Sequence, residues 1–251
     1  MPKQAIILVA GRSTRIRSIV KSNPKCLMKF GEQALVDIQV SSLLRLGIRN
    51  IIFVVGYRAN KIINHLNSKY PKNKFIFLFN KKWRKTNVMG SLYIAKEYLP
   101  NAGLILHGDI LFSSTMLDRL LKKSCIGARL VIQKRKCGWE EMKYVSNTAG
   151  KRIILLTKDV NPKLAEGEFM GIVNISKLFG KKFKNILETT PFNEFKDKFY
   201  EWGLLQVTYS TNLPLQSFDA THYPIIEIDF PKDYFYAKDK IFPKVIKQTK
   251  L

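Results

Sequence analysis

The sequence is short of acid, of histidine and of cysteine. Nineteen Asp and Glu stand against forty-three Lys and Arg, a formal charge of +24 over 251 residues. So large a basic excess suits an anionic partner. The basic residues are spread along the whole chain, however, through 69–85, 181–184 and 238–250. No zinc-finger, basic-zipper or RNP-type motif organises them, which argues against a nucleic-acid partner. A solvated basic surface, a basic cleft for phosphorylated substrates and loose association with an anionic membrane remain as readings. Cys26, Cys125 and Cys137 lie far apart without a CxxC, and His65, His107 and His222 are the only histidines. Neither a disulfide framework nor a zinc site is expected, and free thiols fit a reducing cytoplasm. Long apolar runs are missing as well. Nothing nears the ~18 residues of a membrane span, and the run at 5–10 is too short for a signal-peptide core. The expectation is a soluble, unsecreted, cytoplasmic protein.

What is present is ample core material. Hydrophobic residues make up 46% of the chain and aromatics 12%, enough for one large domain and too much for disorder. Residues 5–10 (AIILVA), 50–55 (NIIFVV), 75–79 (FIFLF) and 104–107 (LILH) are short continuous apolar runs ended by Gly, Asn or Gly-Asp. Such runs mark strands buried on both faces. Between them, Val36, Val40, Leu43 and Leu44 follow helical spacing with Gly47 as a stop. Further helices are expected near 59–66 and 90–99 and after Ser113 or Ser114. This alternation predicts an α/β fold: a mainly parallel, doubly wound (Rossmann-like) sheet flanked by helices.

From residue 128 the pattern changes. Strands are expected at 128–133, 143–146, 152–158, 171–175 and 225–229, with a hairpin turn at 147–150. Helices are expected at 176–188, at 191–200 and from Pro231. The second half therefore reads as a small α+β portion completing one domain over 1–251.

Four pieces carry chemistry. Val9-Ala10-Gly11-Arg12-Ser13-Thr14-Arg15 follows the first strand, and a small-residue loop there lets backbone N–H groups approach phosphate oxygens while arginines add charge. In Asn23-Pro24-Lys25, proline fixes the backbone and lysine offers a point charge for a polyphosphate. Asp109, in Gly108-Asp109, sits at the carboxyl end of a parallel strand, where such sheets bind ligands, and its hard carboxylate suits Mg2+. Glu227 and Asp229 share one side of the last strand and stand ready to complete a magnesium site.

Together and in this order, the pieces resemble nucleotidyltransferases that activate phosphorylated sugars and alcohols, whose pattern is A-A-G-x-G-[ST]-R, then P-K, then G-D. Here Val9 replaces an alanine and Ser13 the second glycine. The series Glu141-Met142-Lys143, Gly150-Lys151-Arg152-Ile153, Thr157-Lys158-Asp159 and 167–172, closing on Glu227-Ile228-Asp229-Phe230-Pro231-Lys232-Asp233-Tyr234, looks like the branch that uses CTP and small phosphorylated acceptors. So does the segment from Trp83 through Asn87 to Ser91-Leu92. The resemblance implies a nucleotide-binding half (1–125) and an acceptor-binding half (126–251). It implies Ala10, Gly11, Arg12, Ser13 and Thr14 around the triphosphate, Arg15 and Lys25 as catalytic cations, and Asn87 and Ser91 near base or ribose. It further implies Asp109, Asp229 and Glu227 on Mg2+, and Lys143, Lys158 and Glu168 facing the acceptor. Trp139, beside Glu140 and Glu141, reads as a core or lid aromatic or as a cation–π partner for a quaternary ammonium.

The implied partners are CTP and a phosphorylated acceptor such as phosphocholine, aminoethylphosphonate, a phosphorylated amino-acid amide or a polyol phosphate. A sugar-1-phosphate nucleotidyltransferase using UTP, dTTP or GTP is the alternative, and a basic nucleic-acid-binding protein the remote one. Oligomeric state stays open.

Overall fold

The computed structural model describes residues 4–147 and 152–249. The expected hairpin turn at 147–150 and the Gly150-Lys151 pair thus fall largely outside the described residues. In chain order the strands are β1 (Gln4–Val9), β2 (Lys29–Phe30), β3 (Gln33–Ala34), β4 (Asn50–Val55), β5 (Ile76–Phe79), β6 (Leu104–His107) and β7 (Ile110–Phe112). They continue with β8 (Ala128–Gln133), β9 (Lys143–Ser146), β10 (Ile153–Thr157), β11 (Gly167–Ile175), β12 (Leu215–Asp219) and β13 (Ile225–Glu227).

A nine-stranded sheet forms the frame, in the order β10-β9-β11-β6-β1-β4-β5, with β8 on β11 and β12 on β8. The β5-β4-β1-β6 half is parallel throughout. Every residue of β1 is buried, and its side chains alternate between two cores, as a strand's period of two requires. Ile6 and Leu8 face helices Val88–Ile94, Lys177–Thr189 and Tyr200–Thr211, while Ala5, Ile7 and Val9 face Leu35–Arg45, Ala59–Lys69 and Ser114–Lys122. The continuous apolar runs read from sequence are the two-sided burial of this sandwich.

The chain leaves β1 toward β4 and β5, then crosses back to place β6 on the other side of β1. That reversal opens a crevice at the carboxyl ends of β1 and β6, where open α/β sheets bind ligands. The Gly108 N–H donates to the Leu8 carbonyl at 3.0 Å, fixing the two strand ends side by side.

Beyond β6 the sheet turns antiparallel, except that β12 runs parallel to β8. β11 first pairs with β9, then shifts register against β8 and runs beside β6. Gly171, with φ +64°, makes that bulge, and a Cβ there would stand 2.7 Å from His107 Nδ1. A separate antiparallel ribbon pairs β13 with β7, Glu227 opposite Ile110, and continues with Ile228 N–H donating to the Asp109 carbonyl at 3.1 Å. The ribbon is what brings residues 227–229 to Asp109. A third core seals its outer side, with Ile16, Phe30, Leu35, Ile228 and Val245 packed together.

Two expected helices need correction, and four strands were not anticipated. The helix expected at 191–200 is a short turn, Phe192–Phe195, followed by a longer helix, Tyr200–Thr211. That helix is buried at Tyr200, Glu201, Gly203, Leu204, Leu205 and Val207 and lacks a clean polar face, so the periodic signal was faint. The helix expected at 90–99 is α-helical only over Val88–Ile94 and tightens to 3-10 over Lys96–Asn101, around Pro100. Strands β2, β3, β7 and β12, short or partly polar, carried no period to read.

Candidate active site

Against the carboxyl ends of β1 and β6 lies a cavity of about 1430 Å3. The loop after β1 forms one wall. Its Ala10 carbonyl accepts from the Tyr57 N–H at 2.9 Å, which ties the loop to the end of β4. Gly11 is exposed on the cavity wall, its φ outside the left-handed region, and a Cβ there meets nothing within 4 Å. Neither backbone nor neighbours of this chain require glycine. Ser13, by contrast, is left-handed (φ 55°, ψ 60°), the conformation a glycine adopts more easily. It turns the chain into the 3-10 turn Thr14–Ile16 and aims Arg15 across the mouth. The Arg15 guanidinium donates to Asp229 Oδ2 at 3.0 Å, reaches Glu140 Oε2 at 3.7 Å and lies over the Phe230 ring at 5.1 Å.

Lys25 lies deeper, its side chain 7% exposed. Pro24, held at φ −57°, sets it at the head of the turn Lys25–Leu27. Its Nζ donates to Asp109 Oδ2 at 3.0 Å and to Asp229 Oδ1 at 2.8 Å. Burial alone would lower the lysine pKa, but the two carboxylates outweigh it and hold the value above the ordinary one. Asp109 mirrors this. Burial pushes its carboxyl up, and Lys25 and His107 more than reverse the shift, leaving it below the usual range. Asp229 is fixed from behind, because Asp233 Oδ2 accepts from the Asp229 and Phe230 N–H groups at 3.0 and 2.7 Å.

Behind Asp109 the cavity floor is a buried polar cluster. His107 Nδ1 stands 3.9 Å from Glu227 Oε1. Burial disfavours its charge, yet Glu227, Asp109 and Glu201 together raise it to about 9. Glu201, 2% exposed, is pushed up to about 7 chiefly by burial. Among the described residues, its Oε2, Asp109 Oδ1 and His107 Nε2 are buried without a hydrogen-bond partner. Asp109, Glu227 and His107 each offer an atom within 4.8 Å of the others. Partnerless Asp109 Oδ1 within an oxygen-rich donor set fits a hard divalent cation.

The far wall comes from the second half of the chain. Glu168 accepts from Arg135 Nε at 2.7 Å and also from its Nη2, and burial raises its carboxyl to about 7. Lys158 lines the same end, with Nζ 5.1 Å from the Phe199 ring centre. Trp139 is 68% exposed, outside any core, with Lys143 Nζ 6.0 Å from its ring centre.

Residues 4–135 match the model of the nucleotidyl transferase family. The chain belongs to that family. Among curated relatives it is similar to choline-phosphate cytidylyltransferase of Streptococcus pneumoniae, 33% identical over 121 residues, spanning 48% of this chain and 51% of that protein. It is also similar to CTP:phosphoglutamine cytidylyltransferase of Campylobacter jejuni, 29% identical over 123 residues and 47% of each chain. The chain thus spans about half the length of the curated relatives it matches. The fold extends further. A solved CTP:phosphocholine cytidylyltransferase from S. pneumoniae superposes with a TM-score of 0.76 at 21% identity, over 95% of this chain and 99% of that one. An inositol-1-phosphate CTP transferase from T. maritima gives 0.78 at 21% identity, over 99% and 96%.

Within this nucleotidyl transferase, the sequence expectations divide. Gly11, Ser13, Arg15, Lys25, Asp109, Asp229, Glu227, Asn87, Lys158 and Glu168 all line the one cavity. Five others need correction. Ala10 is buried behind the loop, and Arg12 and Thr14 turn to its opposite flank. Ser91 is buried, its Oγ accepting from Asn80 Nδ2 at 3.1 Å. Lys143 is fully buried and donates to the carbonyls of Gly138, Trp139 and Glu141 at 3.1–3.2 Å, so it anchors the 138–141 loop and does not face the cavity. Asn87 lines the wall, but its carboxamide caps helix Val88–Ile94, accepting from Val88 N–H at 2.8 Å. Among the cavity residues not singled out from sequence are His107, Arg135 and Glu201. Of these, only His107 had a signal, its place beside Gly108-Asp109 at a strand end.

Glu201 carries a pH signature. Its pKa is higher folded than unfolded, so the folded state binds the extra proton. Stability therefore falls as pH rises from the ordinary glutamate value through about 7. Glu201→Gln is expected to raise stability at pH 8 by on the order of 2 kcal/mol, the gain vanishing below about pH 5. Urea melts at both pH values read this directly.

Proposed function

We propose that the chain is a cytidylyltransferase, moving CMP from CTP to a small phosphorylated acceptor and releasing pyrophosphate with a CDP-linked product. The observation that carries this reading is Lys25 Nζ bonded to both Asp109 and Asp229 at the crevice between β1 and β6, opposite the open flank of Gly11. The two cytidylyltransferase relatives support CTP over other nucleotides.

An acceptor phosphate oxygen is already anionic near neutral pH, so in-line attack on the α-phosphorus needs no general base. Alignment and charge neutralisation supply the catalysis. Gly11 lets the triphosphate lie against the loop backbone. Lys25 and Arg15 stand where negative charge gathers on departing pyrophosphate, each with donors to spare beyond its carboxylate bonds. Asp109 and Glu227, with His107 adjacent and Asp229 held across Lys25, would hold Mg2+, which supplies further neutralisation at the α-phosphate when bound. At the acceptor end, Glu140 and Glu141 line the wall next in sequence to the exposed ring of Trp139. Carboxylates beside an exposed aromatic favour an acceptor bearing an amine or ammonium group over a plain polyol phosphate.

The test is pyrophosphate release with Mg2+, each of four NTPs being paired with phosphocholine, aminoethylphosphonate, glycerol phosphate, inositol phosphate and glucose-1-phosphate. Release with CTP and an amine-bearing acceptor is expected. Release only with another NTP and the sugar phosphate would overturn the CTP assignment and favour a sugar-1-phosphate nucleotidyltransferase.

Gly11→Ala separates structural from functional need at the loop. With nothing within 4 Å of the added methyl, the midpoint of a thermal melt should move by less than ~0.5 kcal/mol equivalent. KM for CTP should rise about tenfold or more, as the methyl displaces the phosphates. A destabilised variant, or one with unchanged KM, would remove the proposed role.

A further inference from the structure

On the flank of the 11–15 loop turned away from the cavity lies a second recess of about 110 Å3. Arg12, Arg17, Lys21 and Arg58 wall it, together with Ser13 and Tyr57, and no carboxylate is among its lining residues. Among the described residues, none of the four cations lies within ion-pair distance of an acid. On the face of helix Lys177–Thr189, by contrast, Lys96 and Lys184 both bind Glu97 and Glu188.

The recess is also held in shape. The guanidiniums of Arg12 and Arg58 lie 5.8 and 5.7 Å from the Tyr57 ring centre. The Tyr57 hydroxyl donates to the Ser22 carbonyl at 3.3 Å, and Lys61 Nζ donates to Asn23 Oδ1 at 2.7 Å, so the 57–61 and 22–23 segments are cross-linked. Ser13, Lys21 and Arg58 have φ of 55°, 53° and 47°, three of the four non-glycine left-handed residues among those described. Each such residue costs on the order of 1 kcal/mol. Concentrating three of them here turns like charges toward one small space.

We propose that this recess binds inorganic pyrophosphate, or a longer condensed phosphate, at a site separate from the main cavity. Three guanidiniums match phosphate oxygens with forked donors. Four positive charges balance a diphosphate better than they balance a carboxylate or a single phosphate. The small volume excludes a nucleoside. Ser13 lines both spaces, so an anion in the recess would press on the loop that carries Gly11 and Arg15.

The test is calorimetric titration of sodium pyrophosphate, without metal or nucleotide, into the full chain. Wild type is compared with Arg17→Ala/Arg58→Asn, with Arg15→Ala in the main cavity, and with Lys181→Ala/Lys182→Ala, which removes the same charge from an exposed helix face. Asparagine is chosen at 58 because it tolerates the left-handed backbone. A thermal melt without pyrophosphate checks that each variant folds. Wild type is expected to bind pyrophosphate at two sites: the recess variant weakens the recess event about tenfold or more, Arg15→Ala weakens only the main-cavity event, and the lysine pair stays within about twofold of wild type at both. Equal loss in the lysine pair would show diffuse attraction, and loss in Arg15→Ala alone would put the anion in the main cavity. Either result, or an unchanged recess variant, would overturn the proposal. Because no nucleotide is used, the outcome is independent of whether CTP is the substrate.

Discussion

Asp109→Asn should lower kcat for nucleotidyl transfer by about three orders of magnitude, roughly 4 kcal/mol of transition-state stabilisation. The side chain keeps its shape and its neighbours, so the effect is one of charge. Asp109 bonds Lys25 at 3.0 Å, keeps Oδ1 buried and partnerless, and offers an oxygen within 4.8 Å of His107 and Glu227. A carboxamide leaves Lys25 bound to Asp229 alone and offers a cation a much poorer donor. Folding should survive, because the Asp109 carbonyl, not its carboxylate, receives the Ile228 N–H that joins the ribbon. Pyrophosphate release and a thermal melt on the same preparation give both readings. An asparagine variant at full rate would remove Asp109 from the proposed chemistry.

Lys25→Met should be the second large effect, losing activity by about two to three orders of magnitude and changing how stability depends on pH. In the wild type, the folded pKa of Asp109 is below its unfolded value. Its contribution is thus present above the ordinary aspartate pKa and is lost as pH falls through the lowered folded value. Without Lys25, burial acts on Asp109 with less opposition, and its folded pKa should move above the ordinary value. A carboxyl raised in this way destabilises at neutral pH and relaxes on protonation. The gap between wild type and variant is therefore expected to be widest near pH 8 and to narrow toward pH 5. At pH 8 it should be about 2–3 kcal/mol, below the 3–5 kcal/mol of a fully buried broken pair because both carboxylates are about a quarter exposed. A gap that widens on acidification would contradict the pairing.

What the sequence made legible follows from burial on two faces. β4 and β6 were read to the residue because nothing polar interrupts them, and the loops that follow β1 and β6 came with them. Asp229 was legible for a different reason, its place in a motif, since the ribbon that delivers it has only three residues per strand. The failures are failures of direction. Lys143 and Ser91 are polar and flank the right segments, but polarity does not say which way a side chain points. A lysine with no exposure, satisfied by three carbonyls, is too rare for sequence to anticipate. Arg12 and Arg15 have the same chemistry three residues apart, and only the left-handed turn at Ser13 sends them to opposite sides.

The ribbon of β7 and β13 has a temporal consequence. On a ribosome, everything needed for the parallel half of the sheet has been made once β6 is out, and the family match itself ends at residue 135. Asp229 is still more than ninety residues away by the numbering. Until the ribbon zips, Asp109 and Lys25 face each other without their third member. A chain interrupted or clipped before residue 225 should therefore be inert toward nucleotide, and turnover begins only when the segment through residue 229 has emerged and folded.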